Sequence, residues 1–62
     1  MKILVRQEVT NQFLSDLGRW VPDEAEAMSF PNRTSAFLFC IRFYISGVQV
    51  VVHHDDGHWE RA

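Results

Sequence analysis

A single cysteine, Cys40, in a chain of 62 residues is the feature that most limits what this sequence can fold into. One cysteine excludes an internal disulfide and a four-cysteine zinc site, two of the cross-links that stabilise domains of this size. Without such cross-links, a domain this small rarely gains more than ~3–5 kcal/mol of net stability from its core. We therefore expect one domain, residues 1–62, that depends on a partner for part of its stability.

The composition is that of a globular protein. Hydrophobic residues make up 47% of the chain and charged residues 23%, which is too apolar for a disordered segment. No apolar run reaches the ~18 residues of a membrane span, and the apolar start of the chain is too short for a signal peptide. A net charge of −2 argues against general binding to phosphate backbones. We expect a cytoplasmic protein with no membrane association, and nucleic acid is not its expected main partner.

Turn-forming residues, including a predicted turn at 16–18, divide the chain into short elements that predict an α+β fold. The order is ββ-α-β plus a short extra helix. It forms a small antiparallel or mixed sheet of three to four strands, with one main helix packed on one face. The predicted strands are 2–9, 12–15, 48–52 and a short return strand at 58–61, and the predicted helices are 22–28 and 35–45. The first strand and strand 48–52 are the most apolar, so we expect them to be neighbours.

The main helix is apolar around most of its circumference. Asn32 or Thr34 can cap its start, and Gly47 is expected to end it. At about 100° per residue, one stripe of the helix faces the sheet. The predicted core cluster, which includes this stripe, is Ile3, Val5, Phe30, Phe37, Cys40, Ile41, Tyr44, Val48, Val50 and Val52. Within it, Cys40 is expected to behave as a small, inert hydrophobic residue.

About two thirds of the chain follows a spaced pattern: aromatic-Leu, Gly-x-Trp, an acidic residue, Ala-x-x-Phe, an alanine-bearing helix and a valine strand. The residues that carry it are Phe13, Leu14, Gly18, Trp20, Glu24, Ala27, Phe30, Ala36, Cys40, Ile45, Val48 and Gln49. This pattern resembles that of small uncharacterised bacterial and phage α+β proteins. The resemblance implies a fold, in which Gly18 permits a turn and Trp20 covers the edge of the sheet, and implies no activity. The chain departs from the pattern after Trp59, where a longer final strand is expected.

Histidines and aspartates cluster at residues 53–58. Imidazole and carboxylate groups are good ligands for zinc, nickel or copper. Adjacent strand residues point to opposite faces, so His53 and His54 cannot chelate one ion within a strand. A tight turn at 55–57 would instead make His54 and His58 cross-strand neighbours about 5 Å apart. The candidate metal ligands are therefore His54, His58 and Asp56. A solvated turn is the simpler interpretation, and we expect any binding there to be weak because turns are mobile.

The chemistry of an enzyme is not evident in the sequence. It has no glycine-rich phosphate loop, and its serines have no identifiable histidine partner. We expect no catalytic activity and no cofactor. The leading hypothesis is a small interaction module that self-associates. The alternatives are a metal- or small-ligand-binding protein that uses residues 53–58, and a nucleic-acid-binding accessory protein that stacks bases on its aromatic residues.

A homodimer is predicted because one helix on one sheet face covers only part of the apolar surface. The opposite sheet face would carry Leu4 and Val51, and Phe39 and Phe43 lie outside the main helix stripe. These four residues are the candidate interface of a two-fold symmetric dimer. In a competing account the chain is monomeric, because Trp20, Trp59 and the short helix fold back over them.

Overall fold

The fold is α+β: five strands and one α-helix lie within the residues that the computed structural model describes, 1–16 and 18–62. The strands pair antiparallel in the order β3-β2-β1-β4-β5, and the helix packs on one face of this sheet. The elements are β1 (Lys2–Gln7), β2 (Phe13–Leu14), β3 (Trp20–Val21), a 3-10 helix (Glu24–Glu26), α1 (Arg33–Arg42), β4 (Val48–His53) and β5 (Trp59–Arg61).

The predicted fold class is confirmed, but the strand count of three to four was too low. β3 is the strand that was not predicted, because two residues carry too little alternation to be identified from sequence, whereas β5 corresponds to the predicted return strand at 58–61. Both strands lie at the edges of the sheet, where short strands discourage pairing with other chains.

The pairing of β1 with β4 forms the centre of the sheet. The two strands align over six residue pairs, from Lys2 opposite His53 to Gln7 opposite Val48. The prediction that these two strands are neighbours in the sheet is confirmed, and they run antiparallel. Where β2 diverges from β1, the backbone N–H of Phe30 donates to the carbonyl of Ile3 at 2.8 Å. The chain therefore enters α1 directly from the sheet.

α1 starts at a capping residue and ends earlier than predicted. Asn32 is the cap, since its side chain accepts a hydrogen bond from the N–H of Ser35 at 2.8 Å. The helix ends at Arg42 because Tyr44 adopts a left-handed backbone with φ of 54°. Gly47, the predicted end, instead serves the turn into β4 with φ of 69°. Among the described residues, no helix has the length and apolarity needed to cross a membrane.

The helix turns a different face to the sheet than the sequence predicts. Ala36 and Cys40 are buried, and Phe39 packs against the same cluster. The predicted stripe through Ile41 and Tyr44 is wrong, because these side chains are 71% and 94% exposed. Phe37, also in that stripe, is 44% exposed. The small Ala36 lets the helix approach the sheet closely, and the larger side chains then point outwards.

The helix-side core contains much of the predicted cluster. Its buried members are Ile3, Val5, Leu14, Ala36, Cys40, Val50 and Val52. Phe30 and Val48 pack against it with part of their surface exposed. The prediction is thus confirmed for both strands and for Cys40, and wrong for the other three helix positions.

The opposite sheet face is covered within the single chain. Leu4 and Val51 are 0% and 1% exposed, so the expectation that a single chain leaves them in water is wrong. They form a second buried cluster with Phe13, against which Val21 and Ala27 pack. Trp59 reaches over this face and stacks on Phe13, with ring centroids 5.6 Å apart. Residues 21–27 around the 3-10 helix, which we call the folded-back segment, and Trp59 therefore cover this face, as the competing account proposed.

Two further predictions concern Trp20, which was expected to fold back over the opposite face, and the turn at 16–18. Trp20 packs against the helix-side core and not on the opposite face. Leu17, within the predicted turn, lies outside the described residues. Gly18 beside it has φ of 74°, and its N–H donates to the carbonyl of Ser15 at 3.0 Å. Glycine adopts such a backbone more readily than residues with a Cβ atom.

Candidate functional site

The turn between β4 and β5 brings two histidines together. The N–H of His54 donates to the carbonyl of His58 at 2.9 Å, and the N–H of Gly57 donates to the carbonyl of His54 at 2.9 Å. Gly57 has φ of 96°, a left-handed conformation that favours glycine. The Asp-Asp-Gly sequence therefore makes the tight turn on which the metal-site prediction depends.

Side chains from both ends of this turn form a cluster. The rings of His54 and His58 stack with centroids 4.3 Å apart. Nε2 of His54 lies 2.6 Å from Oε1 of Glu60. One potential ligand atom from each of these three residues lies within 4.8 Å of the others. We call His54, His58 and Glu60 the turn cluster.

The sequence predicted Asp56 as the third candidate metal ligand, but the structure brings Glu60 to that position. Asp56 instead accepts hydrogen bonds from His58, at 2.8 Å from Nδ1 and at 3.1 Å from the backbone N–H. The signal for Glu60 was present in the sequence, since residues 58 and 60 share one face of an extended strand. Pairing of Glu60 with Val52 then places its carboxylate on the same side as His54.

The carboxylates around the turn are held in their ionised form. The hydrogen bond with His54 lowers the pKa of Glu60, and the guanidinium of Arg33, 3.7 Å away, adds to this effect. The hydrogen bond from the backbone N–H of His58 lowers the pKa of Asp56. A hydrogen bond from the N-terminal amino group lowers the pKa of Asp55. The turn therefore presents negative charge to solvent at neutral pH.

His53 lies apart from this cluster on the other side of the sheet, as the alternation of strand side chains predicts. Its Nδ1 lies 2.6 Å from Oε2 of Glu24 in the 3-10 helix. Its ring stacks on Trp59 with centroids 4.0 Å apart and planes 2° from parallel. His53 thus ties the 3-10 helix and β5 to the sheet.

The second candidate site is an exposed apolar surface on α1 and the residues that follow it. We call it the outer helix surface. Its members are Phe37, Leu38, Ile41, Phe43 and Tyr44, each exposed over 44% or more of its area. Within α1, the spacing of three and four residues between members makes them neighbours on the helix. Phe37, Leu38 and Ile41 are therefore adjacent, whereas Phe43 lies against Phe39 further round the helix.

The four predicted interface residues have different environments. Leu4 and Val51 are buried within the chain, so they are not available to a partner. Phe39 is partly buried between Phe30 and Phe43, with ring centroids at 5.4 Å and 4.7 Å. Phe43 is 57% exposed. Phe43 alone of the four belongs to the outer helix surface.

A cleft of about 390 Å³ continues this surface towards the sheet. Phe37 and Ile41 form its helix wall, Val48 and Val50 line its sheet side, and Arg61 lies at its β5 end. A ridge of apolar side chains therefore lies directly beside an apolar groove.

Comparison with protein-family models, with curated proteins and with solved structures gives no match to this chain.

Proposed function

We propose that this protein is a small, non-catalytic interaction module that forms a homodimer through the outer helix surface. The observation that carries the proposal is the exposure of five large apolar side chains on and directly after the one α-helix of so small a domain. Fully burying one such side chain contributes roughly 1.5–3 kcal/mol. Burial between two chains would therefore add substantially to the small net stability of a domain this size.

A second copy of the chain is the proposed partner because the surface contains both parts of a contact. In a two-fold dimer the same patch must be complementary to itself. Here the ridge of Phe37 and Ile41 lies beside the cleft that Val48 and Val50 line, so each copy offers a ridge and a groove. A standard interface of about 800 Å² per partner would cover roughly a fifth of the chain's 4258 Å² of accessible surface.

The absence of catalysis is part of the proposal. Burial raises the pKa of the Cys40 thiol, which disfavours the reactive thiolate. We also assign the protein to the cytoplasm, where a free cysteine is the usual state. The nucleic-acid alternative makes a different prediction, namely salt-dependent binding to a mixed single-stranded oligonucleotide.

Sedimentation analysis at about 10–100 μM tests the dimer, a range that spans dissociation constants of weak to moderate complexes. We expect a species of twice 7.3 kDa for the unaltered chain. Ile41→Asp should give a monomer with an unchanged far-UV circular dichroism spectrum, because Ile41 is 71% exposed and its side chain points away from the core.

The matched control is Ala25→Asp, which adds the same charge at an exposed residue of the 3-10 helix, on the other side of the sheet. It should remain dimeric. A 7.3 kDa species for the unaltered chain at the highest concentration, or a dimer that persists in Ile41→Asp, would contradict the proposal.

A further inference from the structure

We propose that the turn cluster binds one divalent transition-metal ion, with His54, His58 and Glu60 as ligands and Asp56 orienting His58. This site is separate from the outer helix surface and does not depend on the proposed dimer. Two imidazoles and one carboxylate favour zinc, nickel or copper over magnesium or calcium, which prefer oxygen ligands alone.

The backbone already holds the ligands in place. His54 and His58 are joined across the turn by their backbone hydrogen bond, and Glu60 is paired with Val52 of β4. Ligand atoms bind zinc at about 2.0–2.2 Å, which puts neighbouring ligand atoms roughly 3.3 Å apart in a tetrahedral site. One candidate atom from each of the three residues lies within 4.8 Å of the others, so we expect side-chain rotation to close the site without movement of the backbone.

Asp56 determines which nitrogen of His58 is available. Its Oδ1 lies 2.8 Å from Nδ1 of His58 and also accepts the backbone N–H of that residue. A carboxylate on one imidazole nitrogen directs the other nitrogen to the metal and makes it more basic. Nε2 of His58 is therefore the ligand atom, and Asp56 is a positioning residue.

In the metal-free protein a hydrogen bond occupies part of the site. Nε2 of His54 and Oε1 of Glu60 lie 2.6 Å apart, within hydrogen-bond distance. Metal binding replaces this hydrogen bond and, as at any metal site, requires deprotonated ligands. The stack of the two histidine rings must also open, because parallel rings do not direct their nitrogens at one ion.

The charges near the site act in both directions. The ionised carboxylates of Asp55, Asp56 and Glu60 attract a cation, whereas the guanidinium of Arg33 lies 3.7 Å from Oε1 of Glu60 and competes with one. His58 and Glu60 are exposed and His54 is partly exposed, so solvent can reach the remaining coordination positions. A reversible site with micromolar affinity is the expected result.

Calorimetric titration of chelator-treated protein with ZnCl₂ tests the site directly. We expect saturation at one zinc per chain. Affinity should fall at least tenfold in His58→Ala and in Glu60→Gln, and Asp56→Asn should weaken it by a factor of about 10, the lower end of the range for such orienting partners. Arg33→Gln should tighten binding, because it removes the competing cation.

His53→Ala is the matched control, since His53 lies on the other face of the sheet and pairs with Glu24. It should bind zinc as the unaltered chain does. In NMR spectra, zinc should shift the ring protons of His54 and His58 and leave those of His53 in place. The circular dichroism spectrum of each variant shows whether it has kept the fold.

Three outcomes would overturn the proposal. One is the absence of saturable binding below millimolar zinc. Another is equal affinity in Glu60→Gln, which would show adventitious binding to two surface histidines. The third is loss of binding in His53→Ala, which would place the ion elsewhere. None of these outcomes bears on the dimer, whose proposed interface is the outer helix surface.

Discussion

Leu4 and Ile41 are aliphatic side chains of similar size in very different surroundings. Leu4 is fully buried between the sheet and the folded-back segment, whereas Ile41 is 71% exposed on the outer helix surface. Removing a buried side chain loses its transfer free energy and leaves a cavity, but trimming an exposed one does neither. The contribution of each residue to stability therefore depends on which face of its element is covered.

We expect Leu4→Ala to lower the free energy of unfolding by ~2–5 kcal/mol, enough to unfold much of a marginally stable population. Ile41→Ala should change it by less than about 0.5 kcal/mol in the monomer. Urea denaturation followed by tryptophan fluorescence at submicromolar concentration, where the monomer prevails, measures both. A large loss for Ile41→Ala under those conditions would mean that the helix turns its other face to the sheet.

At the scale of elements, the β4–β5 hairpin is stabilised by contacts that depend on ionised carboxylates. Glu60 accepts from His54 and lies near Arg33 of α1, so one side chain connects the turn, β5 and the helix. Asp55 pairs with the N-terminal amino group, which ties the start of β1 to the same turn. The loss of these charges should loosen this end of the sheet first.

We expect acid to destabilise the protein in part through Glu60. Its pKa is lowered by folding, so the stability it contributes is complete above its unfolded pKa of about 4.3 and is lost as pH falls through the lower folded value. Between about pH 5 and pH 3, the melting temperature should therefore fall less steeply in Glu60→Gln than in the unaltered chain.

Parallel slopes for the two proteins would show that the contacts of Glu60 contribute nothing to this dependence. Glu26→Gln is the control, because Glu26 is an exposed acid of the 3-10 helix at a distance from the hairpin. Its melting temperature should follow that of the unaltered chain through the same pH range.

At the scale of the whole molecule, one short helix and one folded-back segment must cover both faces of a five-stranded sheet. The folded-back segment covers Leu4 and Val51, and α1 covers Val50 and Val52. Nothing in the described part of the chain lies over the outside of α1, where Phe37, Leu38 and Ile41 are exposed. The proposed second copy would add the missing layer.

If that layer is a second copy, stability should depend on concentration. A dimer that unfolds to two separate chains is stabilised by mass action, so its melting temperature should rise between about 2 and 200 μM protein. In Ile41→Asp the melting temperature should be the same at both concentrations. A constant value for the unaltered chain would contradict the dimer even if sedimentation showed larger species, which would then be non-specific aggregates.

Much of the local structure follows from the sequence alone. Residues 48–52 have a β-branched density that only a strand accommodates well, and their alternation correctly separates the two sheet faces. Asn32 has the side chain of a helix cap, and the Asp-Asp-Gly sequence at 55–57 favours a tight turn. These features depend on residues close together in the chain, so the sequence is sufficient to identify them.

Tertiary structure decided the features that local pattern leaves open. α1 has aromatic residues on both sides, Phe37 and Phe39, so its periodicity could not show which side faces the sheet. Leu4 and Val51 are buried in a cluster with Phe13, which Val21 and Ala27 cover and on which Trp59 stacks through Phe13. Glu60 reaches His54 only because β5 pairs with β4. Each of these outcomes depends on contacts between residues far apart in the chain, and the free energies of the alternatives differ only once the whole domain is packed.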